Sequence, residues 1–326
     1  MYNFFIAIAS LLFIFAEAGF SSENLLCQGK SKEIVSVDTF RELADFVHDK
    51  GISFDPNQVF EGAIVFVNVN FLKFFFLNKH EKIKNRYILI THKGDLSAPG
   101  GFLRYLEDDK LIAWVGQNPS IKGYEKFHPI PIGIAGRIWP WGNVSVIKEI
   151  QDLEIDKEYL AYLNIREKNY PKERNRVAKC FKGKSFCYHP PRLPFTEYLT
   201  DLKKSKFVFS PRGNGLDCHR TWEAILMGSI PIVRTSNLDS LFEGLPVLIV
   251  NHWGEVTEKY LEKKYIELTE KEFDLQKLFI PYWKNFILNL LQNEGIERTE
   301  LFERADIFVN NFKISKKRKF KRKKGK

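Results

Sequence analysis

Along the 326-residue chain, hydrophobic positions fall in short unbroken runs rather than in alternation with polar ones. Ala63–Phe71 reads AIVFVNVNF and Arg86–His92 reads RYILITH, with a lysine-rich segment of helical length between them. Leu111–Asn118 (LIAWVGQN) and His128–Ile134 (HPIPIGI) follow. Continuous β-branched runs of this length, parted by longer segments, predict parallel strands covered on both faces.

The pattern restarts after Asp156. Tyr159–Ile165 reads as a strand, and Pro171–Phe181 as a helix with proline at its first position. Lys206–Ser210 is the next strand. Cys218–Met227 is the next helix, with Gly228 where a stop is expected. SIPIVRT, a short helix from Ser236, the strand Leu245–Val250 and a helix from Thr257 complete a β-α-β-α-β-α succession. The predicted class is therefore α/β, with two Rossmann-like, doubly wound domains facing a central cleft. The expected division is 19–150 for the first domain and 151–285 for the second. Helical segments Pro281–Gln292 and Glu297–Phe312 follow, and by analogy with two-lobed folds the stretch 286–312 is expected to pack back on the first domain.

The two ends of the chain read differently. Phe4–Phe15 is apolar and precedes Ala16-Glu17-Ala18, which predicts a signal peptide over residues 1–18 with cleavage before Gly19. The apolar run is shorter than the ~20 residues of a spanning helix, so an exported chain is expected. The compartment would be a secretory lumen in a eukaryote, and the periplasm or exterior in a bacterium. At the other end, nine of the Lys and Arg residues lie in the last twelve positions. The formal charge of +10 is thus almost wholly a tail, 313–326, and the body is nearly neutral. Such a tail is expected to be disordered, and contact with an anionic membrane surface is its candidate role. The neutral body argues against a nucleic-acid partner. Four cysteines in a chain this long do not make a disulfide scaffold, although export would permit a Cys180–Cys187 bridge.

The densest chemistry lies in SPRGNGLDCHRTWEA, Ser210–Ala224, where a strand, a glycine-containing loop and a helix succeed one another. A helix N-terminus presents unpaired N–H groups and a partial positive charge, which suits an anion. Gly213 and Gly215 are expected to allow positive φ and close backbone approach to a diphosphate. Arg212 and Arg220 offer forked donors for phosphate oxygens, and Glu223, one turn beyond Arg220, can accept from ribose hydroxyls. Asp217 reads as the helix N-cap. Cys218 and His219 are adjacent on a helix and so point apart, which argues against a nucleophile–base pair. The same residues also fit a solvated ion pair beside a tight turn, a reading that the loop alone leaves open.

The block Ser205–Trp253 resembles the nucleotide-sugar-binding half of exostosin-like glycosyltransferases. The Pro-Arg-Gly-x-Gly loop, Asp-x-x-Arg-x-x-Glu-Ala, a small-residue turn and Ile-Pro-Ile occur in that family's order. ILITHKGD, AWVGQN and HPIPIGI in the first half are similar to landmarks of the same group. The resemblance implies a GT-B fold and sugar transfer from a nucleoside-diphosphate donor to a hydroxyl of a glycan or glycoprotein. By position, Arg212 and Arg220 would hold the diphosphate and Glu223 the ribose, while Ser210, Gly213, Asn214 and Gly215 line the turn. Arg166, after a strand end, is a further candidate cation, and His219 adjoins the same site. Lys93 stands where the family often has Asn, which leaves the role of its loop open.

Charge that builds on the leaving diphosphate needs cations or helix-terminal amides, and arginines with amides meet that need. No metal or other cofactor is therefore expected; Glu107-Asp108-Asp109 reads as a solvated acidic turn. His92 and Asp95, following a first-domain strand, are the candidate general bases, with His219 a competitor. A carbohydrate- or nucleotide-binding protein of the same fold without turnover is the alternative.

Overall fold

The computed structural model describes residues 33–298. The predicted signal segment, Cys27, the basic tail and nearly all of the last predicted helix lie outside the described residues. Between these limits are two parallel five-stranded sheets.

The first sheet contains β1 (Phe46–His48), β2 (Ala63–Asn68), β3 (Tyr87–His92), β4 (Leu111–Gly116) and β5 (Phe127–Pro129), side by side in chain order. Residues of β2 alternate between its faces. Val65 and Val67 pack with Leu89, Trp114 and the phenylalanines Phe75 and Phe76 of α2 (Leu72–Asn78). Ile64 and Phe66 pack on the opposite side with Phe40 of α1 (Val37–Glu42) and Trp283 and Ile287 of α8 (Ile280–Asn293). Covering on both faces is why these strands carry no polar alternation. Asp108, expected in solvent, pairs with buried His80 at 2.9 Å.

The second sheet runs in the order β10 (Leu248–Val250), β9 (Ile230–Arg234), β8 (Ser205–Phe209), β6 (Tyr159–Tyr162), β7 (Cys187–Tyr188). The chain moves outward from β6 to β7, then returns past β6 to β8. Order reverses there, between β6 and β8, which is the topological switch point of a doubly wound sheet. One face packs on α4 (Pro171–Phe181) and α7 (Glu258–Thr269) through Phe181, Val177 and Leu261. The other packs on α5 (Phe195–Lys203) and α6 (His219–Leu226) through Leu199, Trp222 and Ile225.

Local signals account for the helix ends. Pro171 occupies the first turn of α4 as expected, and the Thr257 hydroxyl caps α7 by accepting from the Tyr260 N–H. Gly228 follows α6 with φ of +68°. The helix itself is a residue shorter at each end than expected, and Cys218 is its N-cap residue. The short helix expected from Ser236 is a 3₁₀ turn, Asp239–Phe242. Cys180 and Cys187 carry free thiols.

One buried cluster joins the halves, passing from α1, α8 and the first sheet through α3 (Val144–Gln151) to α5 and α6. The return to the first half begins before residue 286, since Leu278 already accepts from the Val35 N–H. The Arg298 guanidinium then pairs with Asp45 at 2.8 Å. Among the described residues, no helix is long and apolar enough to cross a membrane.

Candidate functional site

Open α/β sheets bind ligands outside the carboxyl ends of their strands, where strand order reverses. In the second sheet that position lies beyond Tyr162 and Phe209, and the loop leaving β8 is the glycine loop 210–218.

Arg174 of α4 braces this loop from beneath. Its buried guanidinium donates to the carbonyls of Arg212 (2.8 Å), Arg166 (3.3 Å) and Pro211 (3.3 Å). Gly213 makes room for it, because a Cβ there would lie 3.2 Å from Arg174 Nη2. Gly215 faces the first half, where a Cβ would stand 2.8 Å from Asn118 Nδ2. Neither glycine has positive φ, contrary to expectation. Their small size, and not left-handed backbone, is what the loop uses.

The loop is also the seam between the halves. The Asp217 N–H donates to Asn118 Oδ1 at 2.9 Å, and Asn214 Nδ2 donates to Asp95 Oδ2 at 3.3 Å. Asp217 is not the N-cap of α6. Its carboxyl accepts from the Ile132 N–H of the first half, from Trp222 Nε1 and from the Cys218 N–H, each at 2.8 Å. Burial pushes this carboxyl up to about 6, against the pull of those donors. His219 donates from Nδ1 to the Gly133 carbonyl at 2.7 Å, which leaves Nε2 free of that bond.

Arg220 and Glu223 lie together on α6, as the spacing predicts. The Nε and Nη1 atoms of Arg220 are buried with no hydrogen-bond partner among the described residues. Glu223, also buried, accepts from the Tyr198 hydroxyl of α5 at 2.8 Å, and burial pushes its carboxyl up. Arg220 acts electrostatically on Glu223, Tyr198 and Tyr162, and also on Arg174 and Cys218 at the glycine loop.

Arg212 stacks over the Tyr170 ring at 4.2 Å, donates to the Asn214 carbonyl at 3.1 Å, and lines a cavity of about 50 Å³ with Asp217, Thr221 and Arg234. Of the two arginines expected to grip one diphosphate, Arg212 thus lies in the loop before α6 and Arg220 in its first turn. Ser210 borders the same cavity, and its hydroxyl is 2.9 Å from that of Thr221. The Arg166 side chain is exposed at the end of β6, while its carbonyl belongs to the Arg174 brace.

The structure removes His92 as an accessible base. Nε2 lies 3.1 Å from the Pro131 carbonyl, Nδ1 accepts from the Lys93 N–H at 2.9 Å, and the buried ring stacks on Phe40. Burial pushes it down to about 3, so it stays neutral. Asp95, by contrast, is exposed at the cleft edge. Lys93 has φ of +67° and reaches Asp49 at 2.6 Å. An asparagine would adopt that backbone readily but could not make that ion pair.

Arg174, Asn118 and Tyr198 are parts of the site that sequence reasoning did not single out. Asn118 alone carried a signal, as the polar end of LIAWVGQN; it sits at φ of +52°. Among the described residues, no three His, Cys, Asp or Glu side chains cluster so as to hold a metal ion.

A family model described as "RXYLT1 C-terminal domain" matches residues 172–320, the part of the chain that carries this loop. The match supports a glycosyltransferase family, without singling out the exostosin-like one that the sequence suggested. No curated protein matches the chain by sequence. Among solved structures, it is similar to a UDP-forming α,α-trehalose-phosphate synthase from Burkholderia xenovorans, with 9% identity, 75% of each chain covered and a TM-score of 0.37. An α,α-trehalose-phosphate synthase (UDP-forming) from Burkholderia vietnamiensis has 6% identity, the same coverage of each chain and a TM-score of 0.35. The chain is thus an α/β protein of two parallel five-stranded sheets, whose second half carries the match to that family model.

Proposed function

We propose that this protein transfers a sugar from a nucleoside-diphosphate donor to a hydroxyl of a glycan or glycoprotein, without a metal ion. The observation that carries the reading is Arg220, whose Nε and Nη1 donors are buried without partners among the described residues. Leaving a buried donor unmade costs about 1–3 kcal/mol, and more for a charged group, so such groups are kept where a ligand completes them. A diphosphate at the N-terminus of α6 would do so, and would be stabilised further as negative charge grows on it during bond cleavage. Glu223, one turn beyond Arg220 and bonded by the Tyr198 hydroxyl of α5, would accept from ribose hydroxyls.

His219 is assigned as the base that removes the acceptor proton. Its Nδ1–H is fixed on the Gly133 carbonyl, so the lone pair sits on Nε2, and it adjoins Arg220 in the chain. Asp95 then acts on the loop, through Asn214. Export of the chain and contact of its basic tail with an anionic surface belong to the same reading and rest on sequence.

Titration calorimetry with a panel of nucleoside-diphosphate sugars in EDTA tests the assignment. Arg220→Ala is expected to weaken donor binding about 30- to 100-fold, the loss of roughly 2–3 kcal/mol of charge-assisted hydrogen bonding. An unchanged affinity in a folded variant would remove the site, and a donor that binds only when divalent cations are restored would remove metal independence.

A further inference from the structure

The loop after β5 displays Ile138, Trp139 and Trp141 at 80%, 51% and 42% exposure. The two indoles stack on each other, with ring centroids 5.1 Å apart and planes 14° from parallel. Large apolar side chains shown to solvent together mark an interaction site, and tryptophan is prominent among residues that dominate binding.

The loop that carries them is tied down. The Trp139 N–H donates to the Gly136 carbonyl and the Gly142 N–H to the Trp139 carbonyl, both at 2.9 Å. The Arg137 N–H donates to Asp38 at 2.6 Å, and its guanidinium bonds Glu42. At the far end, Asn143 caps α3 by accepting from the Ser145 N–H at 3.0 Å. The indoles are therefore held in place before any ligand arrives.

Position and charge indicate the occupant. The loop leaves the carboxyl end of the first sheet, and Gly133, whose carbonyl orients His219, precedes Trp139 by six residues. At the base of the loop three carboxylates, Glu33, Asp38 and Glu42, gather on Arg137. That excess of carboxylates repels an anionic lipid surface or a phosphorylated partner. It suits a neutral polyhydroxylated one, whose C–H faces lie on indole and whose hydroxyls donate to carboxylates.

We infer that Trp139 and Trp141 form a platform for a neutral glycan, on the acceptor side of the cleft. The acceptor role rests on the glycosyltransferase reading; the glycan contact does not. The full chain is to be passed over a panel of immobilised neutral oligosaccharides and, in parallel, over vesicles of phosphatidylcholine and phosphatidylserine. Trp139→Ala and Trp141→Ala are each expected to weaken glycan retention at least about tenfold, the range of a binding hot spot. Their melting temperatures and donor affinities should stay unchanged, and Trp139→Tyr should restore part of the retention. The inference is overturned if no neutral glycan retains the parent chain, if the alanine variants are retained equally well, or if it is vesicle binding that depends on the tryptophans. Tryptophan-dependent glycan retention beside an Arg220→Ala variant of normal donor affinity would keep the platform and remove the transferase reading.

Discussion

The two sheets have the same number of parallel strands but order them differently. In the first, strands follow chain order, so no reversal opens a crevice within it, and α1 and α8 cover the face opposite α2. In the second, the reversal between β6 and β8 leaves a gap at the strand ends, and the glycine loop, Arg220 and Glu223 occupy it. The contributions at the seam divide accordingly. The first half mostly offers backbone, the Ile132 N–H and the Gly133 carbonyl, together with Asn118, whereas the second offers the titratable and cationic side chains. One sheet frames the site and the other arms it.

The sharpest way to break this division is to move the base. His219→Asn is expected to lower turnover by about 10²–10⁴, the usual worth of a general base, with donor affinity kept. Asp95→Asn should change it by less than about tenfold, since it would only loosen Asn214. Steady-state kinetics that show the opposite order would place the base in the first half.

Acidity separates the halves less strongly but with opposite sign. The Asp217 carboxyl is raised to about 6 on folding, so its contribution to stability is complete below about pH 4 and lost as pH rises through 6. That loss is about 2–3 kcal/mol at most. His92 is depressed to about 3, so its contribution is present above pH 6.5 and is lost as pH falls, about 2 kcal/mol by pH 5. Urea unfolding from pH 4 to 8 should show the first slope vanish in Asp217→Asn and the second in His92→Gln. A parent profile unchanged by either substitution would mean that the two groups titrate as they do in the unfolded chain.

The smallest effect tests the seam contact itself. Gly215→Ala brings a methyl group to 2.8 Å from Asn118 Nδ2, and overpacking of this kind costs about 1–3 kcal/mol. In the double variant with Asn118→Ala the two costs should add to less than their sum, because the clash is gone. Strict additivity in denaturant melts would show that the loop does not rest on Asn118.

Much of the fold was legible in the chain. β2, β3 and β4 begin in unbroken apolar runs, because a strand buried on both faces has little room for polar residues before its carboxyl end. The helix Pro171–Phe181 has the bounds its proline and periodicity indicate. The three-residue β1 and two-residue β7 left no trace, since so few residues make no pattern. In the site, the placing of Arg220 and Glu223 one turn apart on one helix followed from helical spacing alone. Asp217 was misread because its best partner, the Ile132 N–H, lies 85 residues away.

The sequence by itself determined the class of the sheets, the strand–loop–helix context of the glycine loop, and the side chains available to grip an anion. Those depend on local periodicity and turn chemistry, which neighbouring residues settle. Only the tertiary structure decided that strand order reverses between β6 and β8, that Arg212 stacks on Tyr170 while Arg220 is buried without a partner among the described residues, and that His92 is spent on backbone while His219 bonds the Gly133 carbonyl. Each of these depends on which distant groups meet, and burial then shifts His92, Asp217 and Glu223 toward their neutral forms.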